Sequence, residues 1–270
     1  MHAMARFATL LACLVLAAAP LRAAPAARVV SMNLCTDQLA MLLARPGQLV
    51  AVSDIAADPV SSAMAAEARA YPTHHNSAEE IYLLAPDLVL AGDYSPAETV
   101  SMLRRLRIRV ESFPIGESFG DIRTAVRRMG DLLGAPERAE RLITEMDAEL
   151  AEPLPAERPR AAIFYANGYT SGTGTLADAV LEAAGYSNIA AEDGRQGLSR
   201  FPLELLALSH PDLLITGQDY GSPARAQEIL KHPALAHLPQ DRAQVSDKLW
   251  VCATPRAAEA VRLLRAARPE

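Results

Sequence analysis

Two adjacent histidines, His74 and His75, stand just before the helix-starting signal Ser77-Ala78-Glu79-Glu80. A neutral imidazole there could coordinate iron or cobalt, or donate to a carboxylate. The plain alternative leaves one ring in solvent and the other bonded to the backbone. Five aromatic residues, Tyr94, Tyr165, Tyr169, Phe201 and Trp250, fall in or beside segments that read as loops and could pack against a large planar or apolar ligand. The run Gly168-Tyr169-Thr170-Ser171-Gly172-Thr173-Gly174-Thr175 invites a phosphate-loop reading, but it lacks the lysine and the spacing of one, so a cleft loop with hydroxyl donors is the better expectation. Arg195 and Arg200 flank a further Gly-containing loop and could neutralise an acidic ligand.

Several chemistries have no matching motif. The chain contains no His-Glu-x-x-His and no Gly-x-Gly-x-x-Gly after a strand, so neither a zinc-protease nor the usual dinucleotide signature is present and an enzyme is not expected. A bare-metal site needs three or four converging His, Asp or Glu ligands. That role would fall to His74 or His75 with His210, His232 or His237. His210 and His232 each precede a proline and do not point clearly into a cleft, so no metal site is assigned.

The elements that must carry these residues alternate helix and strand. Strands read at Arg28–Ser31, Leu49–Val52, Leu88–Ala91, Ala161–Tyr165 and Leu213–Thr216, with helices at about Thr36–Leu43, Ser61–Arg69 and Leu176–Ala184. Unbroken apolar strands such as Leu88-Val89-Leu90-Ala91 mark a parallel sheet buried on both faces. Ser77 is expected to cap its helix while Glu80 reaches back to it, and Pro96 to open the next helix. Between the halves, Ala139, Leu142, Ile143, Met146 and Leu150 recur every three or four residues from Pro136 onward, giving one amphipathic helix of about 15 residues and roughly 22 Å.

One pattern occurs twice. Glu79 to Gly92 lies over Glu204 to Gly217 at a constant offset of 125 residues, each copy a helix, a Pro-Asp turn and a strand ending in Gly. The expected fold is therefore α/β, with two similar lobes of mainly parallel sheet joined by a single long helix and a ligand cleft between them. The divisions are residues 24–135, 136–152 and 153–270. In such sheets ligands sit beyond the carboxyl ends of the strands, which selects the loops 32–36, 73–77, 92–95, 166–175, 195–201 and 250–254.

The first 23 residues combine Arg6, a Leu- and Ala-rich stretch and a small-residue segment, the pattern of a secretory signal peptide. Leu10-Leu11-Ala12-Cys13 could be read as a lipoprotein box, but the apolar stretch before Cys13 is too short, so lipid anchoring at Cys13 is not expected. Removing the signal leaves 24 basic against 32 acidic residues, a net charge of −8, which argues against nucleic acid as a partner. Cys35 and Cys252 then remain in an oxidising compartment and suggest one disulfide tethering the lobes, or else two free thiols near the ligand.

Export, two lobes, one connecting helix and the duplicated pattern together resemble the periplasmic substrate-binding proteins of ABC importers for vitamin B12, ferric siderophores and haem. Arg28-Val29-Val30-Ser31-Met32-Asn33-Leu34-Cys35-Thr36-Asp37 looks like that family's opening strand and cleft loop, and Ala85-Pro86-Asp87-Leu88-Val89-Leu90-Ala91 is similar to its best-kept motif. The resemblance implies a periplasmic protein that captures a metal chelate (cobalamin, ferric siderophore or haem) and delivers it to an inner-membrane permease. It implies no cofactor of the protein's own, the cobalt or iron arriving within the ligand. It also implies that Glu79 and Glu204 dock onto arginines of the permease. Ligand contact is expected from His74, His75, Tyr94, Tyr165, Tyr169, Arg200, Phe201 and Trp250. A bare-metal carrier and, after it, an exported enzyme are the alternatives.

Overall fold

A computed structural model describes residues 25–216, 224–236, 238 and 245–268. The signal-peptide and Cys13 readings, and His237, lie outside these residues.

The first lobe runs β1 (Val29–Ser31), α1 (Leu34–Leu43), β2 (Leu49–Ser53), α2 (Ala65–Ala68), β3 (Thr73–His74), α3 (Ala78–Leu83), β4 (Leu88–Gly92), α4 (Ala97–Arg105) and β5 (Val110–Phe113). Its five strands are all parallel, in the order β3-β2-β1-β4-β5. Val29, Val30 and Ser31 of β1 face Leu88, Val89 and Leu90 of β4. The chain winds outward in one direction through β2 and β3 and in the other through β4 and β5. The reversal lies between β1 and β4, the place where an open parallel sheet leaves a crevice for a ligand.

Two antiparallel helices follow, α5 (Phe119–Leu133) and α6 (Pro136–Leu150). Ser118 caps α5 by accepting from the Asp121 N–H, and Gly134 stops it at φ 68°. Ion pairs Arg123–Asp147 (2.6 Å) and Arg127–Glu140 (2.7 Å) join the two helices along their length. Helix α6 has the bounds and the buried stripe, Ala139, Ile143 and Met146, that its periodicity foretold.

The second lobe contains β6 (Arg160–Phe164), β7 (Tyr169–Ser171), α7 (Leu176–Ala183), β8 (Ser187–Asn188), α8 (Ile189–Glu192), β9 (Leu198–Arg200), α9 (Leu203–Ser209), β10 (Leu213–Thr216), α10 (Pro233–Ala236) and α11 (Ala257–Ala266). Strands β10-β6-β8 form a parallel sheet, and β7 pairs antiparallel with β9 as a separate ribbon. The two lobes are not insulated from each other. One apolar core runs from Val29 and Leu88 through Ile122, Val126 and Met129 of α5 and Ile143 of α6 to Leu181 and Val261.

The sequence repeat is repeated in its contacts. The Asp87 carboxylate accepts from the N–H groups of Ala27 (2.8 Å) and Arg28 (3.1 Å), and Asp212 accepts from that of Arg160 (2.7 Å). The Arg28 guanidinium donates to the carbonyls of Leu84 and Ala85, and the Arg160 guanidinium to that of Ser209 (2.5 Å), which is Leu84 shifted by 125. Ala85 and His210 both adopt a left-handed backbone at φ 47°. Each lobe thus ties the start of its first strand to the turn before a neighbouring strand through an Asp and an Arg.

Some expectations are corrected. The helix read at Ser61–Arg69 shrinks to Ala65–Ala68, because Asp58 folds the preceding chain into a turn by accepting from Ser61 Oγ (2.6 Å) and the Val60 N–H (3.0 Å). Ser77 does cap α3, accepting from the Glu80 N–H (3.1 Å), but the Glu80 carboxylate turns to His75, accepting from its backbone N–H (2.8 Å). Pro96 stands at the N-cap of α4 rather than inside it.

Candidate functional site

The lobes face each other across a cavity of about 540 Å³. Its first-lobe wall is Tyr94 beyond β4 and Ile115, Gly116 and Glu117 beyond β5; its second-lobe wall includes Tyr165, Tyr169, Ser171, Thr175, Asp247 and Trp250. No Lys, Arg or His is among its described lining residues. A second, more enclosed and mainly apolar cavity of about 370 Å³ adjoins it, sharing Tyr94, Ile115, Gly116 and Val251 and reaching inward to Asn33, Leu39, Phe113 and Arg128. Both open at the carboxyl ends of β1, β4 and β5, the position the winding of the sheet dictates.

The walls are braced by local bonding. Trp250 is 5% exposed, and its Nε1 donates to the Tyr165 hydroxyl at 3.2 Å, so indole and phenol form one polar-tipped aromatic surface. Tyr169 opens β7, where Arg200 of β9 is its cross-strand partner and lays its guanidinium over the phenol ring at 5.2 Å. Tyr94 is 83% exposed at the mouth. The glycine-rich run is not built as an anion cradle, since its central amides, those of Gly172 and Thr173, are already used. Gly172 N–H donates to Gly197 O (2.9 Å) and Thr173 N–H to Arg195 O (3.0 Å), and Thr175 caps α7. A Cβ on Gly172 would lie 2.2 Å from Arg195 O, so only glycine permits this approach.

Of the eight residues expected to touch ligand, Tyr94, Tyr165, Tyr169 and Trp250 line the cavity. The other four are placed elsewhere. His74 is buried: its Nε2 donates to Ser31 O (2.9 Å), its Nδ1 accepts from the Asn76 N–H (3.2 Å), and burial holds its pKa below the usual imidazole value. Both ring nitrogens are spent inside the lobe and none is left for a ligand. His75 is exposed, with Nδ1 3.2 Å from the Glu80 carboxylate and outside both cavities. Phe201 is buried in the core of the second lobe under the Arg195 guanidinium, 5.0 Å from the ring centre. Arg200 covers Tyr169 rather than lining the cavity. Ile115, Gly116, Glu117 and Asp247 went unread, although the first three leave a sheet strand at its carboxyl end like the loops that were read.

Cys35 and Cys252 are joined in a disulfide, with Cα atoms 4.9 Å apart across 217 residues of chain. Cys35 opens α1 in the first lobe, while Cys252 precedes α11 in the second. Cys35 itself lines the smaller cavity with Val251 and Ala253, the neighbours of Cys252. An ion pair from Arg256 to Glu67 (2.7 Å) and a hydrogen bond from Lys248 to Pro59 O (3.4 Å) continue this seam between the lobes.

Residues 29–240 match the pattern of the family described as periplasmic binding protein. The chain belongs to this family. A cobalamin-binding protein of Halobacterium salinarum is 30% identical to it over 198 residues, 70% of this chain and 53% of that protein. The chain spans about half the length of the curated relatives it matches. Among solved structures, the apo periplasmic heme-binding protein RhuT from Roseiflexus sp. RS-1 superposes with a TM-score of 0.72 at 24% identity, covering 89% of this chain and 98% of that one. The periplasmic vitamin B12 binding protein BtuF of Vibrio cholerae gives 0.61 at 20% identity, covering 90% and 96%. These likenesses are likenesses of fold: two α/β lobes around a cleft. No described helix of this chain is long and apolar enough to cross a membrane.

Proposed function

We propose that the chain captures a metal chelate with an uncharged, amide-bearing rim, a corrinoid such as cobalamin, in the cleft between its lobes and delivers it to an ABC importer. The observation that carries this reading is the chemistry of the walls. Tyr94, Tyr165, Tyr169 and Trp250 offer flat apolar area. Between them the Ser171 hydroxyl and the Glu117 carboxylate offer acceptors for amide N–H groups, with no cationic side chain among the described lining residues of this larger cavity. The carboxylates of haem, or the anionic oxygens of a catecholate siderophore, would enter the larger cavity beside the Glu117 carboxylate, and Arg128, the cation among the described lining residues of the smaller one, is already paired with Glu111 at 2.8 Å. The two adjoining cavities, about 540 and 370 Å³, can share one bulky ligand between them. Cobalt or iron is cargo here, carried inside the chelate. A bare-ion carrier is less well supported, because no three His, Cys, Asp or Glu side chains converge among the described residues.

The same proposal takes the chain as exported to the periplasm, divided at residues 24–135, 136–152 and 153–270, with Glu79 and Glu204 as contacts for the permease. Both acids are exposed in the first turns of α3 and α9, at corresponding places on the two lobes.

The test is a titration of the purified protein with cyanocobalamin, haemin and several ferric siderophores. Cyanocobalamin should bind at least about tenfold more tightly than the anionic ligands, a difference of about 1.4 kcal/mol. Tighter binding of haemin would reject the uncharged-rim reading. Weak binding of every chelate, above about 100 μM, would reject chelate capture altogether.

A further inference from the structure

Two leucines are exposed where folding gives no reason for them. Leu83 on α3 is 81% exposed and Leu208 on α9 is 72% exposed. A single exposed leucine is ordinary. These two, however, are one position of the repeat, 125 residues apart, and each lies four residues after the repeated acid, so Glu79 with Leu83 and Glu204 with Leu208 share one helix face. The two copies have diverged in between: Glu80 answers to Leu205, Tyr82 to Ala207 and Leu84 to Ser209. The other retained positions serve the lobe itself, since Asp87 and Asp212 bind backbone N–H groups and Leu88 and Leu213 are buried in strands. Glu79, Leu83, Glu204 and Leu208 have no such internal duty. Neither carboxylate forms an ion pair among the described residues.

We infer that Leu83 and Leu208 are paired apolar anchors for a membrane partner that presents the same surface twice, each copy an apolar hollow beside a basic group. Two equivalent knobs on a single chain match a partner whose own two-fold symmetry supplies two equivalent sockets. The neighbouring acid fixes the charge of each socket rim, while the leucine supplies apolar area that docking removes from water. Tyr82, 54% exposed, widens the first patch and Leu205, 40% exposed, widens the second, so the two sockets are engaged alike at the centre and differently at the edge. This rests on the docking role proposed for Glu79 and Glu204, and it adds residues and a symmetry that the acids alone do not specify.

The test is saturable binding of labelled, ligand-free protein to spheroplasts of cells that carry the chain's own transporter. Leu83→Ser and Leu208→Ser should each weaken binding by about tenfold and by similar amounts, with thermal stability nearly unchanged because both side chains are exposed. A photo-reactive residue placed at 83 or at 208 should label the same integral-membrane polypeptide, whereas one at the exposed Leu154 should not. If Glu79→Lys with Glu204→Lys abolishes binding while both serine variants stay within about twofold, the anchors are refuted and the docking acids survive. If charge reversal also leaves binding intact, the docking reading falls, and the anchors with it. Labelling from only one position, or of a second copy of this chain, would likewise overturn the inference.

Discussion

Asp37 and Ser53 meet inside the first lobe, where the Ser53 backbone N–H (3.3 Å) and its hydroxyl both reach the Asp37 carboxyl group. Asp37 is fully buried on α1, and burial pushes its pKa up to about 7 despite the hydrogen bonds from Ser31 and Ser53. An unfolded aspartate titrates near pH 4. Between about pH 4 and 7 the folded chain therefore keeps a proton that the unfolded chain has lost, and Asp37 stabilises the fold fully at low pH and progressively less until pH passes 7. Asp37→Asn should remove that dependence. Relative to the parent, the variant should gain stability by up to about 1.4 kcal/mol per pH unit across this window, read from urea midpoints at pH 4.5 and 7.5. Parallel profiles for the two proteins would refute it.

The disulfide is predicted to hold both the fold and the cleft. Cys252→Ser, or reductant on the parent, should cost about 2–5 kcal/mol of unfolding free energy. It should also weaken ligand binding, because Cys35, Val251 and Ala253 line the inner cavity. Thiol alkylation followed by mass spectrometry of the exported protein should find neither cysteine reactive until reductant is added.

Trp250 is the only tryptophan in the chain and forms part of the cavity wall, so a ligand entering the cleft should change its emission. Tyr165→Phe removes the acceptor of the indole N–H and should destabilise the protein by about 1–3 kcal/mol. A Tyr165→Phe protein with unchanged stability and unchanged emission would show that the bond contributes nothing.

Gly172→Ala should be among the more damaging single substitutions, at about 2 kcal/mol or more, since its methyl group would press on Arg195 O and part β7 from β9. Ligand affinity should fall with it, Tyr169, Ser171 and Leu198 all being cavity-lining residues of that ribbon. Gly174→Ala provides the contrast. Nothing lies within 4 Å of its would-be Cβ, leaving only the strain of its left-handed backbone at φ 78°.

Periodicity and repetition made much of this scaffold readable in advance. Helix 136–150 followed from its apolar stripe, strand Leu213–Thr216 from its unbroken apolar run, and the equivalence of Asp87 with Asp212 from the constant offset. The direction of a side chain was harder to read. His74 and His75 are neighbours on one short segment, yet one ring turns into the lobe and the other into water, a choice made by Ser31 O, 43 residues away in sequence. Phe201 was misread for a related reason: its neighbours Phe164 and Leu206 come from other elements and make it core. The loop at 114–117 went unnoticed because Val110–Phe113 carries Glu111 and Ser112 and does not look like an interior strand. It pairs at the sheet edge, where one side needs no apolar cover.

Cys252 follows Cys35 by 217 residues, and Cys35 belongs to the first described strand-and-helix unit. During synthesis the first lobe can close its parallel sheet long before the partner for Cys35 exists, and that thiol must wait, reduced, beside the unfinished cavity. The covalent seam therefore closes only once parts of both lobes have been made. A chain truncated before Trp250 would complete the first lobe and the bridging helix but lack both the seam and the indole that faces the ligand.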